Sequence, residues 1–217
     1  MASHDLKNPL TNLRVAQVLL KELIDPNDVR SHTVLDTMTL TISTMQQVIE
    51  DFLDSAAAQS GALDIRLQAV NADALLQQVI EQQLPIAYDK QIDLQMANAG
   101  LWIHADPARL LQVLQNLLGN AIKYSPVGSE VRLWATDNGQ YVRLYVTDQG
   151  PGIPETERIK LFQPFGKASN RPTGGESSHG LGLWIAKHLT ELHNGRIGVE
   201  ASPEGGSQFW VDIPAAQ

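Results

Sequence analysis

The chain has no cysteine, which excludes a disulfide framework, a thiolate zinc site and a catalytic thiol, and suits a reducing compartment. It also lacks a basic excess. Sixteen Lys and Arg stand against 24 Asp and Glu, a formal charge of −8, the wrong sign for a surface that binds by neutralising nucleic-acid phosphates. Apolar runs are broken by charge far short of the roughly 18 residues needed to span a bilayer. Met1-Ala2-Ser3 leads straight into an amphipathic pattern, with no signal peptide. The expectation is a soluble, acidic, cytoplasmic chain with no nucleic-acid partner and no membrane contact of its own. A P-loop, a complete Gly-x-Gly-x-x-Gly fingerprint and a protein-kinase catalytic loop are missing too, so any nucleotide is bound by another architecture. What is present, 217 residues of which 43% are apolar, suffices for one substantial core or two small ones.

Leu6, Leu10, Leu13, Leu20 and Ile24 recur at steps of three, four or seven, with Gln17 in the missing stripe position, which gives a helix with one apolar face. Asp25-Pro26-Asn27-Asp28 supplies a turn and a fresh N-cap. Leu35, Met38, Ile42, Met45, Ile49, Phe52 and Ala56 then alternate steps of three and four as a heptad seam. An antiparallel hairpin of about 60 residues buries too little alone. It either lies on the rest of the chain or, as the regular heptads favour, pairs with a second copy into a homodimeric four-helix bundle. Small and polar residues at Ala56-Ala57-Ala58-Gln59-Ser60-Gly61 end the seam. The domains are therefore drawn as 1–60 and 61–217.

In the second domain strand-like runs alternate with helical ones, an α and β mixture. Strands are predicted over 63–70, 92–96, 101–104, 130–136, 141–147, 196–200 and 208–213. Asn71-Ala72-Asp73 caps a helix running towards Tyr88, and Asp106-Pro107 opens one to about Tyr124. Asp137-Asn138-Gly139-Gln140 is a hairpin signal, and a helix from Leu181 to His193 stops at Asn194-Gly195. Residues 163–179, rich in Gly, Pro, Ser, Asn and Thr, form a long aperiodic loop, either a functional lid or a disordered stretch.

Three clusters carry chemistry. Asn116, Asn120 and Lys123 stand at i, i+4 and i+7 of a helix, so two amide oxygens and a cation share one side. They suit a hydrated Mg²⁺ and the phosphates it bridges, or are a solvated helix face. Asp148-Gln149-Gly150-Pro151-Gly152 follows a strand. There a carboxylate could accept from an exocyclic amine while glycine backbone passes under a flat ring, or the segment is a plain turn. Gly180-Leu181-Gly182-Leu183 opens a helix and exposes N–H groups to an anion, or is helix punctuation. His188 and His193 are five apart and His32, His104 and His179 lack partners at useful spacing, so no metal site is expected among them.

In this order, with Leu161-Phe162-Gln163-Pro164-Phe165 between, the clusters resemble the N, G1, F and G2 boxes of the ATP-binding domain of sensor histidine kinases. That domain belongs to the wider superfamily that includes gyrase and MutL. Ser3-His4-Asp5-Leu6-Lys7-Asn8-Pro9-Leu10 resembles the H box of the phosphoacceptor domain, which extends the likeness over nearly the whole chain. The resemblance implies a dimerisation and histidine-phosphotransfer hairpin followed by an α+β two-layer sandwich of the histidine kinase ATPase (Bergerat) type.

By the same resemblance His4 is the residue autophosphorylated from ATP, Asp5 the base, and Asn8 a water-positioning group for dephosphorylating the partner. Asn120 would be the principal Mg²⁺ ligand with Asn116 assisting. Lys123 would meet phosphate oxygens, and Tyr124 would stack near adenine. Asp148 would bind the adenine amine, Gly150 and Gly152 would line the base pocket, and Gly180, Leu181 and Gly182 would hold phosphates. Lys167 stands where similar kinases often carry a basic residue, and is a candidate γ-phosphate contact. The implied partners are a second copy of the chain and the receiver domain of a response regulator. The alternative is a pseudokinase-like, nucleotide-responsive docking module for such a regulator. His4 lies so near the start that helix turns normally preceding a phosphoacceptor are missing. The full-length protein is accordingly expected to extend further, with a membrane anchor as one option.

Overall fold

The computed structural model describes residues 65–170, 172, 173 and 180–216, and before them residues 13, 15, 16, 18–21, 24, 28, 31, 34, 35, 38, 39, 41, 42, 45 and 49. The chain forms two compact units, Met1–Leu63 and Asp64–Gln217.

In the first unit the described residues between 13 and 21 and between 31 and 49 are helical. The Asp28 carboxylate accepts from the Ser31 N–H at 3.3 Å and from its hydroxyl at 2.6 Å, so Asp28 caps the second helix as the turn chemistry implies. Along the heptad seam Leu35 and Ile42 are buried and Met38 and Ile49 half-buried, whereas Met45 is 47% exposed. Leu13, Val15, Val18, Leu19, Leu20 and Val34 are exposed as well.

The second unit runs β1 (Gln68–Asn71), α1 (Ala72–Asp89), β2 (Asp93–Ala97), β3 (Trp102–Ala105), α2 (Pro107–Tyr124), β4 (Glu130–Asn138), β5 (Tyr141–Thr147), α3 (Glu155–Leu161), α4 (Gly182–Leu192), β6 (Arg196–Ala201) and β7 (Ser207–Pro214). β1 and β3 pair antiparallel as a small sheet. The main sheet has the order β2-β4-β5-β7-β6, parallel between β2 and β4 and antiparallel elsewhere.

Alternation decides its faces. Val131, Leu133 and Ala135 of β4, Val142, Leu144 and Val146 of β5, and Phe209, Val211 and Ile213 of β7 are buried. Against the sheet lie α1, α2 and α4, with α2 between the other two. α2 presents Leu110, Val113, Leu114, Leu117, Leu118, Ala121 and Ile122, all buried at helical spacing, which leaves its other side for polar residues. The intervening residues of the strands form a polar and aromatic outer face. There Trp134 stacks on Tyr145 at 4.8 Å, and Arg143 is bonded twice to Asp212 while lying 4.1 Å from the Trp210 ring.

Caps were legible: Asn71 accepts from the Ala74 N–H, and Asp106 from those of Ala108 and Arg109. Two details differ from expectation. β1 begins at Gln68, with residues 65–67 irregular. β4 continues through Asn138, which pairs with Tyr141, so the hairpin turns on Gly139 and Gln140 alone, with Gly139 at φ 76°. α4 stops at Asn194-Gly195 as expected, with Asn194 the left-handed residue (φ 56°) and Gly195 serving close approach: a Cβ there would lie 2.2 Å from the Asp212 carbonyl oxygen. The short helix α3 had no counterpart in the sequence reading. Among the described residues no helix is long and apolar enough to cross a membrane.

Candidate active site

β5 ends at Thr147 and delivers Asp148 into the interior, where the side chain is 3% exposed. Its Oδ1 accepts the N–H of Gly150 at 2.8 Å and that of Ser207 at 3.1 Å, while its own N–H donates to the Ser207 carbonyl at 2.9 Å. Burial disfavours the charged form and pushes the carboxyl up to about 6; the two N–H donors act in the opposite direction but do not cancel it. Among the described residues Oδ2 receives no donor, so it is the acceptor left for an incoming group.

Backbone closes around this carboxylate. A Cβ at Gly150 would lie 2.8 Å from Asp148 Oδ1 and 3.0 Å from the Tyr124 carbonyl oxygen, so the end of α2 meets the Asp148–Gly150 turn. Gly206, at φ 87°, lies beneath, and a Cβ there would sit 2.1 Å from the Asp148 carbonyl oxygen. Gly152, at φ 72°, completes the wall beside Gly206.

A second grouping forms earlier in α2. Asn116, Asn120, Lys123 and Tyr124 are all half-buried. The side-chain oxygen of Asn116 would be 2.8 Å from a Cβ at Gly182, so the N-terminus of α4 rests on this amide. Leu181 is buried, and Gly180, at φ 71°, lies against Phe165 and Gly166. Lys167 is exposed. The start of the long loop is tied down twice: Asn170 donates its side-chain amide to the Gly152 carbonyl, and Thr173 bonds to the carbonyls of Lys123 and Ser125. Residues 171 and 174–179 of that loop lie outside the described residues, as do His4, Asp5 and Asn8.

The structure thus gathers Asp148, Gly150, Gly152 and the Tyr124 carbonyl at one end of α2. It gathers Asn116, Gly180, Leu181 and Gly182 a turn or two earlier. Gly206 and Ser207 were missed by sequence reasoning; a Gly-Gly-Ser run opening a strand was the available signal, but only the β5–β7 pairing reveals its target. Chemically, a buried acceptor walled by glycine backbone takes a flat ring bearing an amine. A helix start beside amide oxygens takes phosphate.

A mixed sheet layered by three helices, a strand-end carboxylate and a glycine-led helix N-terminus together define an ATP-binding domain of the histidine kinase and gyrase type. Residues 105–217 match the family described as histidine kinase-, DNA gyrase B- and HSP90-like ATPase, and residues 1–61 match the His kinase A (phospho-acceptor) domain. The chain belongs to the sensor histidine kinases of two-component systems. It is 30% identical over 216 residues to the alginate biosynthesis sensor protein KinB of Pseudomonas aeruginosa, covering 98% of this chain and 36% of that protein. It is 32% identical over 220 residues to the adaptive-response sensory kinase SasA of Synechococcus, covering 99% and 58%. Among solved structures, full-length ShkA in complex with AMPPNP superposes with a TM-score of 0.81 at 30% identity, covering all of this chain and 45% of that one. The catalytic domain of histidine kinase ThkA gives 0.60 at 31% identity, covering 69% and 96%. The chain spans 36% and 58% of the two curated relatives named.

Proposed function

We propose that this chain is the catalytic core of a sensor histidine kinase, which phosphorylates His4 from ATP and passes the phosphoryl group to an aspartate on the receiver domain of a response regulator. The observation that carries the reading is Asp148: a buried carboxylate whose Oδ1 is saturated by the N–H groups of Gly150 and Ser207 and whose Oδ2 is left for a donor. The exocyclic amine of adenine supplies that donor. Gly150, Gly152 and Gly206 let the ring lie against backbone, and Tyr124 borders it. Gly180, Leu181 and Gly182 offer N–H groups at the start of α4 to the phosphates, and Lys123 and Lys167 add cations.

Asn116 and Asn120 are hard oxygen donors of the kind Mg²⁺ takes alongside water and phosphate, and the contact with Gly182 holds the Asn116 amide at the phosphate end. They would hold the ion, which neutralises phosphate charge. One nitrogen of the His4 imidazole attacks the γ-phosphorus as the bond to the β,γ-bridging oxygen breaks and ADP leaves. Asp5 takes the proton from the other ring nitrogen. Asn8, one helical turn from His4, orients water when the phosphorylated partner is hydrolysed. Apolar side chains exposed along the hairpin, among them Leu13, Val18, Leu20 and Met45, support pairing with a second copy into a four-helix bundle. The chain acts in the cytoplasm.

Purified chain incubated with Mg²⁺ and γ-labelled ATP is expected to give an acid-labile, base-stable phosphoprotein. His4→Gln abolishes the label, and added receiver domain drains it. Label that survives acid, or that persists in His4→Gln, overturns the reading.

A further inference from the structure

The last turn of α2 is held by a side chain outside every motif. The final carbonyls of a helix have no intrahelical donor. Here the Ser125 N–H takes the Ala121 carbonyl at 3.1 Å, and the next two, Ile122 and Lys123, both accept from the ammonium of Lys90 at 2.8 and 2.6 Å. Lys90 is the C-cap residue of α1, brought by the fold to a helix end 33 residues away. The Lys123 carbonyl also accepts the Thr173 N–H at 3.3 Å and its hydroxyl at 3.1 Å, and the same hydroxyl lies 2.8 Å from the Ser125 carbonyl. The Tyr124 carbonyl meets Gly150. Four consecutive carbonyls, 122 to 125, are therefore shared among Lys90, Thr173 and the turn that follows Asp148.

The apolar stripe of α2 ends at Ile122, and beyond it the Lys123 carbonyl is held by the Lys90 ammonium and by Thr173. A cation at a helix C-terminus is favoured by the dipole, and its bonds to carbonyls are charge-assisted. A compact ammonium can reach two adjacent carbonyls, where the planar fork of arginine fits less well.

We propose that Lys90 is a positioning residue for the nucleotide: its ammonium fixes the last turn of α2, so that the Tyr124 carbonyl stays against Gly150 beside Asp148 and the Lys123 carbonyl retains Thr173 at the mouth of the site. The proposal rests on the nucleotide-binding reading above. Lys90 touches neither adenine nor phosphate in this scheme and acts through the backbone.

The full 217-residue chain carries the test, with AMPPNP and Mg²⁺ as the probe. Lys90→Met is expected to raise the calorimetric Kd about tenfold, the loss of one or two charge-assisted bonds. It also speeds amide exchange at Thr173 in the nucleotide-free protein. Lys90→Arg, which keeps the charge, changes Kd less than Lys90→Met does. An unchanged Kd together with unchanged Thr173 exchange in Lys90→Met overturns the proposal, whatever happens to Tm. Should Lys90→Met not fold, Lys90→Gln, which removes the charge and keeps a neutral donor, is read by the same two measurements: a raised Kd with faster Thr173 exchange supports the proposal, and both unchanged overturn it. If the unaltered chain does not bind AMPPNP, the nucleotide reading fails, and Thr173 exchange still tests whether Lys90 fixes the turn.

Discussion

Asp148→Asn should make the protein more stable and less able to bind nucleotide at the same time. The carboxyl is raised from its ordinary 3.8 to about 6 by burial, so between those values the folded state holds a proton that the unfolded chain has released. Stability contributed by this group is then full below pH 4, falls as pH rises, and is lost above pH 6, because the native state binds more protons across the window. The difference corresponds to about 3 kcal/mol at neutral pH, the penalty of keeping a carboxylate ionised in the interior. Asparagine retains the Oδ1 acceptor for the Gly150 and Ser207 N–H groups and carries no charge. Scanning calorimetry at pH 7.5 should show the transition of the 64–217 unit raised by about 6–12 °C, shrinking to the equivalent of about 1 kcal/mol at pH 4.5. With its oxygen committed to those N–H groups, the amide turns its NH₂ to where Oδ2 stood, opposite the adenine amine. Two donors then face each other, and affinity for Mg²⁺·AMPPNP should fall about a hundredfold or more. A variant no more stable than the parent at pH 7.5, or one whose advantage is the same at both pH values, would refute the reasoning.

Other perturbations separate site from scaffold. Gly182→Ala places a methyl 2.8 Å from the Asn116 side-chain oxygen, a mobile group that can yield, so the fold should survive while Kd for Mg²⁺·AMPPNP rises about tenfold; titration giving the parental value would count against a phosphate-end role for Asn116. His193 is fully buried, with Nδ1 2.6 Å from the Leu189 carbonyl oxygen and Nε2 accepting the Asp106 N–H at 3.0 Å. His193→Ala leaves the Asp106 N–H unmatched and a cavity beside it, while the Leu189 carbonyl keeps the backbone N–H of residue 193. Urea unfolding should show a loss of about 3 kcal/mol, and a loss below about 1 kcal/mol would mean the Nε2 bond to Asp106 is not holding the end of α4 to the start of α2.

The parts of this structure that the sequence disclosed are those governed by neighbours in the chain. Asn71 and Asp106 announce their helices because a short polar side chain satisfies N–H groups two or three residues on. Alternation in 130–136 and 141–147 announces strands because one face is buried. α3 escaped notice because seven residues show hardly two turns of periodicity, and its N-cap, Pro154, makes no side-chain cap bond. The hairpin turn fell one residue late because Asn138 still finds a ladder partner in Tyr141. In the candidate site, Asp148, Asn116 and the glycines at 180 and 182 stood out as patterns. Ser207, Gly206 and Lys90 did not: each acts on residues more than 30 positions away, and a lone serine, glycine or lysine carries no local mark of that.

β7 is the last strand of the domain in sequence but an interior strand of the sheet, lying between β5 and β6. Until it is synthesised, β5 has an open edge, β6 has no neighbour to pair with, and Asp148 lacks the Ser207 N–H. A chain emerging from the ribosome therefore exposes every recognisable motif well before it has a working pocket. A nonsense mutation just before residue 207 would leave a polypeptide that still reads as an ATP-binding domain but has lost the Ser207 N–H that holds the Asp148 carboxylate. Ligand affinity in this family member is consequently a report on the completeness of its C-terminal strand as much as on the motifs that name it.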